Sequence, residues 1–139
     1  MKTTVEQIGP MAFTAISDSG HTVIMDASPE VGGENRGSRP MELILMGLGG
    51  CSSIDVVMIL EKARQEITGC KVVINAERAD TDPKVYTRIH VHFIISGNNL
   101  NRDRVARAIE LSAEKYCSVS IMLGKTASIE HDFEIIQVA

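Results

Sequence analysis

The sequence predicts a mixed fold of strands and helices in the order β-β-β-α-β-β-α-(short α)-β. Three features carry that expectation. Short alternating apolar runs stand before and after a long central helix, that helix is apolar on nearly every face, and a second helix repeats its apolar residues at helical spacing. Length agrees with one domain over residues 1–139, since single domains cluster near ~100–150 residues.

Val5 to Ile8 and Met11 to Ile16 read as strands flanking Gly9-Pro10, and Asp18-Ser19-Gly20 supplies a hairpin turn before Thr22 to Asp26. Residues 28–40 hold Pro29, Gly32, Gly33, Gly37 and Pro40 and read as a loop. Loops of that length are uncommon in compact domains and are often functional. A helix follows, with Ser38 or Arg39 as its cap, Pro40 in its first turn and Glu42 set against the positive end of the dipole. From Met41 to Leu60 apolar residues cover nearly every face, which implies burial all round. Gly47, Gly49, Gly50, Cys51, Ser52 and Ser53 weaken the helix in isolation, each Gly by ~1 kcal/mol relative to Ala, but let another backbone pack close. The uncharged stretch Leu43 to Ile54 falls short of the ~20 residues a membrane span needs, so a buried core helix is expected.

Cys70, Val72, Ile74 and Ala76 then alternate with polar or exposed positions, Asp80-Thr81-Asp82-Pro83 turns the chain, and Ile89, Val91, Phe93 and Ile95 form a second alternating face. Asn101 caps a second helix in which Val105, Ala108, Ile109, Ser112 and Tyr116 recur, with Cys117 at its end. A short helical piece from Val119 to Leu123 stops at Gly124, and a last strand runs from Ala127 to Val138. A lone small sheet gives too little cover for a helix that is apolar on all sides, so a partner subunit is expected.

Composition narrows the function. The 14 Lys and Arg against 18 Asp and Glu leave a net charge of −4, with no basic cluster to meet a phosphate backbone, which argues against a nucleic-acid partner. Aromatic residues make up 4% of the chain and Trp is absent, leaving little to stack on bases or sugars. The opening Met1 to Glu6 lacks the apolar run of a signal peptide, so a cytoplasmic location without membrane partners is expected. Cys51, Cys70 and Cys117 in a reducing compartment do not suggest a structural disulfide framework; a disulfide there would be transient and chemical.

Each candidate group has a bland alternative. Cys51 lies mid-helix among small residues, where a free cysteine is usually an inert small hydrophobe, and reactivity would require a cation to favour its thiolate. Cys117 opens the polar, turning Cys-Ser-Val-Ser segment. Cys70, at the start of a strand, reads as structural. His90 and His92 share the outward face of one strand and offer half a metal site or a solvated surface; no further ligand has zinc-like spacing, so no metal is expected. His21 and His131 have no sequence-local partner. Nucleophile-elbow, Walker and dinucleotide fingerprints are absent, so no cofactor is expected.

Two segments do carry a resemblance. Ser38-Arg39-Pro40-Met41-Glu42-Leu43-Ile44-Leu45-Met46-Gly47-Leu48-Gly49-Gly50-Cys51 resembles the Pro-x-Glu-Leu … Gly-Gly-Cys helix of the OsmC/Ohr family of osmotically inducible and organic hydroperoxide resistance proteins. Ala113-Glu114-Lys115-Tyr116-Cys117-Ser118-Val119-Ser120 resembles that family's second motif, and the stretches from Gly49 to Val57 and from Leu111 to Val119 look most like its YhfA-like branch. The resemblance implies an α+β, OsmC-like fold, two interleaved chains with the long helices inside a homodimer, and thiol-dependent reduction of hydroperoxides. It assigns Cys51 as the peroxidatic thiolate and Cys117 as the thiol that condenses with its sulfenic acid, an external dithiol then reducing the disulfide. It also implies an Arg that activates the cysteine and a Glu that holds the Arg. The family's Glu position falls on Met41, with Glu42 about 100° further round the helix. Arg39 and Arg36 in the preceding loop are the candidates for the Arg. A non-catalytic relative that binds a small apolar ligand at the dimer interface, or senses oxidants through the same thiols, stays open beside the peroxidase.

Overall fold

The computed structural model describes residues 1–138 and divides the chain into two compact units, Met1–Met46 and the remainder from Gly47. In the first unit β1 (Thr3–Gln7), β2 (Ala12–Ser17) and β3 (Thr22–Asp26) form an antiparallel sheet in sequence order. The Asp18-Ser19-Gly20 turn makes the hairpin, with Gly20 in the left-handed region at φ 85°. Residues expected to be loop contain one short 3-10 turn, Pro29–Val31.

Asp26, 1% exposed at the end of β3, organises that loop. Its Oδ2 accepts the backbone N–H groups of Glu34 at 3.0 Å and Arg36 at 3.1 Å. Burial pushes its carboxyl up, but the Arg36, Glu34 and Ala27 amides and the Arg36 charge outweigh that and hold it below the usual range.

The long helix, α1, spans Pro40–Lys62. Leu43 N–H bonds the Arg39 carbonyl at 3.1 Å, making Arg39 the cap, and Glu42 Oε1 accepts the Arg39 N–H at 2.8 Å as half of a capping box. Only Leu48, Ser52, Val56 and Leu60, one stripe at four-residue spacing, are buried in a single chain. Ile44, Met46, Ile54 and Met58 are exposed, and a Cβ placed on Gly47 or Gly50 would meet nothing within 4 Å. The expected burial all round is therefore not met within one chain, because one small sheet covers only one side. The helix is also longer than its uncharged stretch suggested, and by length and composition alone it is long and apolar enough to cross a membrane.

In the second unit β4 (Glu66–Arg78), β5 (Tyr86–Asn98) and β6 (Ser128–Gln137) form a sheet in that order, with β4 antiparallel and β6 parallel to β5. A parallel neighbour needs a crossover, supplied here by α2 (Arg102–Leu111), a π turn (Ser112–Tyr116) and α3 (Ser118–Leu123). Asn101 caps α2 as expected, its side chain accepting the Arg104 N–H at 3.1 Å. Ile89, Val91, Phe93 and Ile95 on central β5 are at most 1% exposed, and Val105, Ala108 and Ile109 of α2 are buried with them. The larger of these side chains contribute ~1.5–3 kcal/mol each, so this face anchors the unit and holds the turn where Cys117 sits. The architecture is the α+β arrangement, in the element order, expected from the sequence.

Candidate thiol site

Cys51 and Cys117 converge. Cys51 is half-buried on α1, and one turn later the same helix face presents Asp55. Cys117 sits where the π turn ends and α3 begins, its backbone extended at φ −74°, ψ 101°. Cys51 Sγ, Cys117 Sγ and a carboxylate oxygen of Asp55 all lie within 4.8 Å of one another. A disulfide is about 2.05 Å long, so the remaining travel is that of a side-chain rotation.

The surroundings of Cys117 are built from serines. Its sulfur is 0% exposed and lies 3.3 Å from Ser52 Oγ and 3.3 Å from the Ser120 N–H, which donates to it. Burial pushes its thiol above the usual range; the Ser52 and Ser120 contacts pull the other way, and neighbouring Cys51 pushes up again. Cys117 is thus held as a protonated thiol at neutral pH. Ser112, buried at the start of the π turn, ties the parts together. Its carbonyl accepts the Cys117 N–H at 2.8 Å, and its hydroxyl donates to Asp55 Oδ2 at 3.2 Å and towards the Ser52 carbonyl at 3.5 Å. That five-residue backbone bond is what makes the turn π, a distortion that clusters at functional sites.

Cys70 stands apart from this group, on β4 opposite Ile95. It is half-buried, and burial raises its thiol despite a hydrogen bond with Ser53, in keeping with a structural role. His90 and His92 do face outward, where carboxylates of β6 take up their nitrogens. His90 Nε2 lies 3.1 Å and His92 Nδ1 2.6 Å from Asp132 Oδ1, while His92 Nε2 lies 3.0 Å from Glu134. His131, stacked on Phe93 with ring centroids 6.4 Å apart, is kept neutral by burial.

The proposed activating residues belong to the first unit, and their present partners are local. Arg36 Nη1 donates to the Ile8 carbonyl at 3.2 Å, and Arg39 Nη1 donates to Asn35 Oδ1 at 2.9 Å and to the Gly37 carbonyl at 3.0 Å. Glu42 is exposed and engages the Arg39 main chain rather than a guanidinium.

Two thiols and a carboxylate could take a soft cation only as an open three-donor set, and the remaining neighbours are hydroxyls and an amide already hydrogen-bonded to them. Thiol–disulfide chemistry uses the same atoms without further donors, and no metal is assigned. Asp55, Ser52, Ser112 and Ser120 were not singled out from the sequence. The four-residue step from Cys51 to Asp55 was the available signal for the first of them.

Residues 33–132 match the family model described as OsmC-like protein. The chain is 43% identical over 136 residues to Protein YhfA of Escherichia coli strain K12, covering 98% of each. It superimposes on a hypothetical protein from Aquifex aeolicus VF5 with TM-score 0.88 and 27% identity, over 99% of this chain and 97% of that one. The organic hydroperoxide resistance protein OhrB of Bacillus subtilis shares the fold at TM-score 0.63 and 17% identity, over 96% of each chain. A family match across most of the chain, together with a full-length relative of this identity, leads to one conclusion: the chain belongs to the OsmC-like family.

Proposed function

We propose that the protein is a thiol-dependent peroxidase that reduces organic hydroperoxides. The observation that carries this reading is that the Cys51 sulfur, on α1, and the Cys117 sulfur, at the start of α3, lie within 4.8 Å of each other. The hydroperoxide resistance role in the name of the Bacillus subtilis fold relative supports the same substrate class. The Cys51 thiolate attacks the distal peroxide oxygen, the O–O bond breaks, and the alkoxide leaves as an alcohol after taking a proton. Sulfur is oxidised by two electrons to the sulfenic acid. Cys117 then displaces hydroxide from it, closing the disulfide, and an external dithiol restores both thiols.

Activation of Cys51 falls to Arg39 first and Arg36 second; Glu42 would orient whichever serves only by turning inward from the Arg39 main-chain N–H that it now accepts. A guanidinium favours a thiolate and can hydrogen-bond the peroxide oxygens as charge develops. The working form in this reading is a cytoplasmic homodimer in which a second copy covers the exposed apolar side of α1. Asp55 and Cys51, on the middle of that helix, fit a protein interior or interface better than hydrocarbon.

Rapid-quench titration of Cys51 during exposure to cumene hydroperoxide, with hydrogen peroxide in parallel, tests the function. Rapid loss of the Cys51 thiol, faster with the organic peroxide, is expected. Oxidation no faster than that of free cysteine would leave the ligand-binding or sensor reading as the better one.

A further inference from the structure

We propose that Asp55 is the proton shuttle of the resolving step, taking the Cys117 thiol proton as that sulfur attacks the Cys51 sulfenic acid and returning it to the departing hydroxide. This assignment rests on the peroxidase reading. The balance is Cys51–SOH plus Cys117–SH giving Cys51–S–S–Cys117 plus water. One S–O bond breaks, one S–S bond forms, the sulfenic sulfur is reduced and the thiol sulfur oxidised, and Asp55 ends as the carboxylate it began.

Four observations lead to Asp55. A carboxylate oxygen lies within 4.8 Å of both sulfurs, the span of about 4.5–5 Å that one bridging water covers with two ordinary hydrogen bonds. The step needs a base, because Cys117 is 0% exposed and burial keeps its thiol protonated. Among the described residues, the other groups hydrogen-bonded to these side chains are the hydroxyls of Ser52 and Ser112 and the Ser120 amide, none of which is a base at neutral pH. Finally, Ser112 positions both participants, its hydroxyl on Asp55 and its carbonyl on the Cys117 N–H.

Helix geometry explains the reach. Side chains on a helix lean towards its N-terminus, so a residue four positions after Cys51 carries its carboxylate back over the Cys51 turn. A negative group there does not help form the attacking thiolate, whose charge it opposes. It does help the second step, in which a proton must leave one sulfur and arrive at the oxygen on the other. A base that speeds this transfer also shortens the life of the sulfenic acid and so limits over-oxidation.

The test separates the two steps. With Cys117→Ser as background, the rate at which cumene hydroperoxide oxidises Cys51 is measured with and without Asp55→Asn, in buffer containing EDTA. In the chain with both thiols, disulfide closure is followed by rapid acid quench and mass spectrometry for Asp55→Asn, Asp55→Ser and Asp55→Glu. Asp55→Ser keeps an acceptor for the Ser112 hydroxyl and serves where Asp55→Asn folds poorly. Closure slowed at least tenfold near pH 7 in both neutral variants, with the gap shrinking as pH rises and Cys117 ionises unaided, is expected (~10²–10⁴-fold being the usual reach of general base catalysis). Asp55→Glu should stay within about threefold of the parent, since it restores the carboxylate. Closure at the parent rate in the neutral variants, or a slowing that is constant across pH, overturns the assignment. Diamide-driven closure, which also requires Cys117 to lose its proton, is run alongside. Should cumene hydroperoxide fail to oxidise Cys51, the peroxidase reading falls. The diamide series then still decides Asp55, slowed closure supporting the shuttle and unchanged closure removing it.

Discussion

Ile54→Asp places a charge on the part of α1 that a single chain leaves bare, and it should separate the dimer without unfolding the protomer. Ile54 is 62% exposed, in company with Met58 at 50% and Met46 at 55%. Burying a whole aliphatic side chain is worth ~1.5–3 kcal/mol, so covering the exposed part of Ile54 contributes about 1–2 kcal/mol per protomer. A two-fold axis counts the residue twice, giving about 2–4 kcal/mol, to which desolvation of two unpaired carboxylates adds a further few. The total of at least about 4 kcal/mol weakens association by about a thousandfold. Within the lone chain the change is confined to helix propensity, ~0.5 kcal/mol at most. Sedimentation velocity across the micromolar range should show the parent as a dimer and the variant as a monomer with unchanged circular dichroism. A monomeric parent, or a variant that stays dimeric, would refute the assignment of this face to a second copy.

Arg39→Ala or Arg36→Ala should slow Cys51 oxidation by at least about tenfold with the dimer intact, in line with the loss of an electrostatic partner; parent rates in both single variants and in the double variant would exclude either arginine as activator. Glu42→Ala should cost ~0.5–1 kcal/mol in urea unfolding by removing the acceptor of the Arg39 N–H, while Glu42→Gln should recover most of it. His92 is raised above its ordinary 6.5 by hydrogen bonds to Asp132 and Glu134, so its folded form binds the proton more tightly than its unfolded form. Its contribution to stability is full below pH 6.5 and fades as pH rises through the raised value, and His92→Gln should flatten the urea midpoint over that window.

Much of the fold was legible because its signals are local. Asn101 announces a helix by its own side chain, Gly20 a hairpin by its φ, and Ile89, Val91, Phe93 and Ile95 a buried face by their period. How α1 is covered was less legible, since composition shows that a surface is apolar and is silent on how much of it one chain covers; a single chain buries only one stripe. The parallel pairing of β6 depends on a distant partner, and the π turn on a five-residue bond from Cys117 N–H to the Ser112 carbonyl that no side-chain pattern marks. At the site, the two cysteines were readable from their motifs. Ser52, Ser112 and Ser120 were not, because a serine near a sulfur looks in sequence like any other small polar residue. Asp55 sat between these cases, hidden in an apolar helix but in step with Cys51.

The central claim, that Cys51 and Cys117 form one redox pair, is tested most directly by mass spectrometry of the protein after one equivalent of cumene hydroperoxide, quenched with an alkylating agent. The account predicts a loss of about 2 Da, a Cys51–Cys117 linked peptide, an alkylated Cys70, and full reversal by a dithiol. Cys51 recovered as sulfinic acid beside a free Cys117, or a disulfide that involves Cys70, would contradict it.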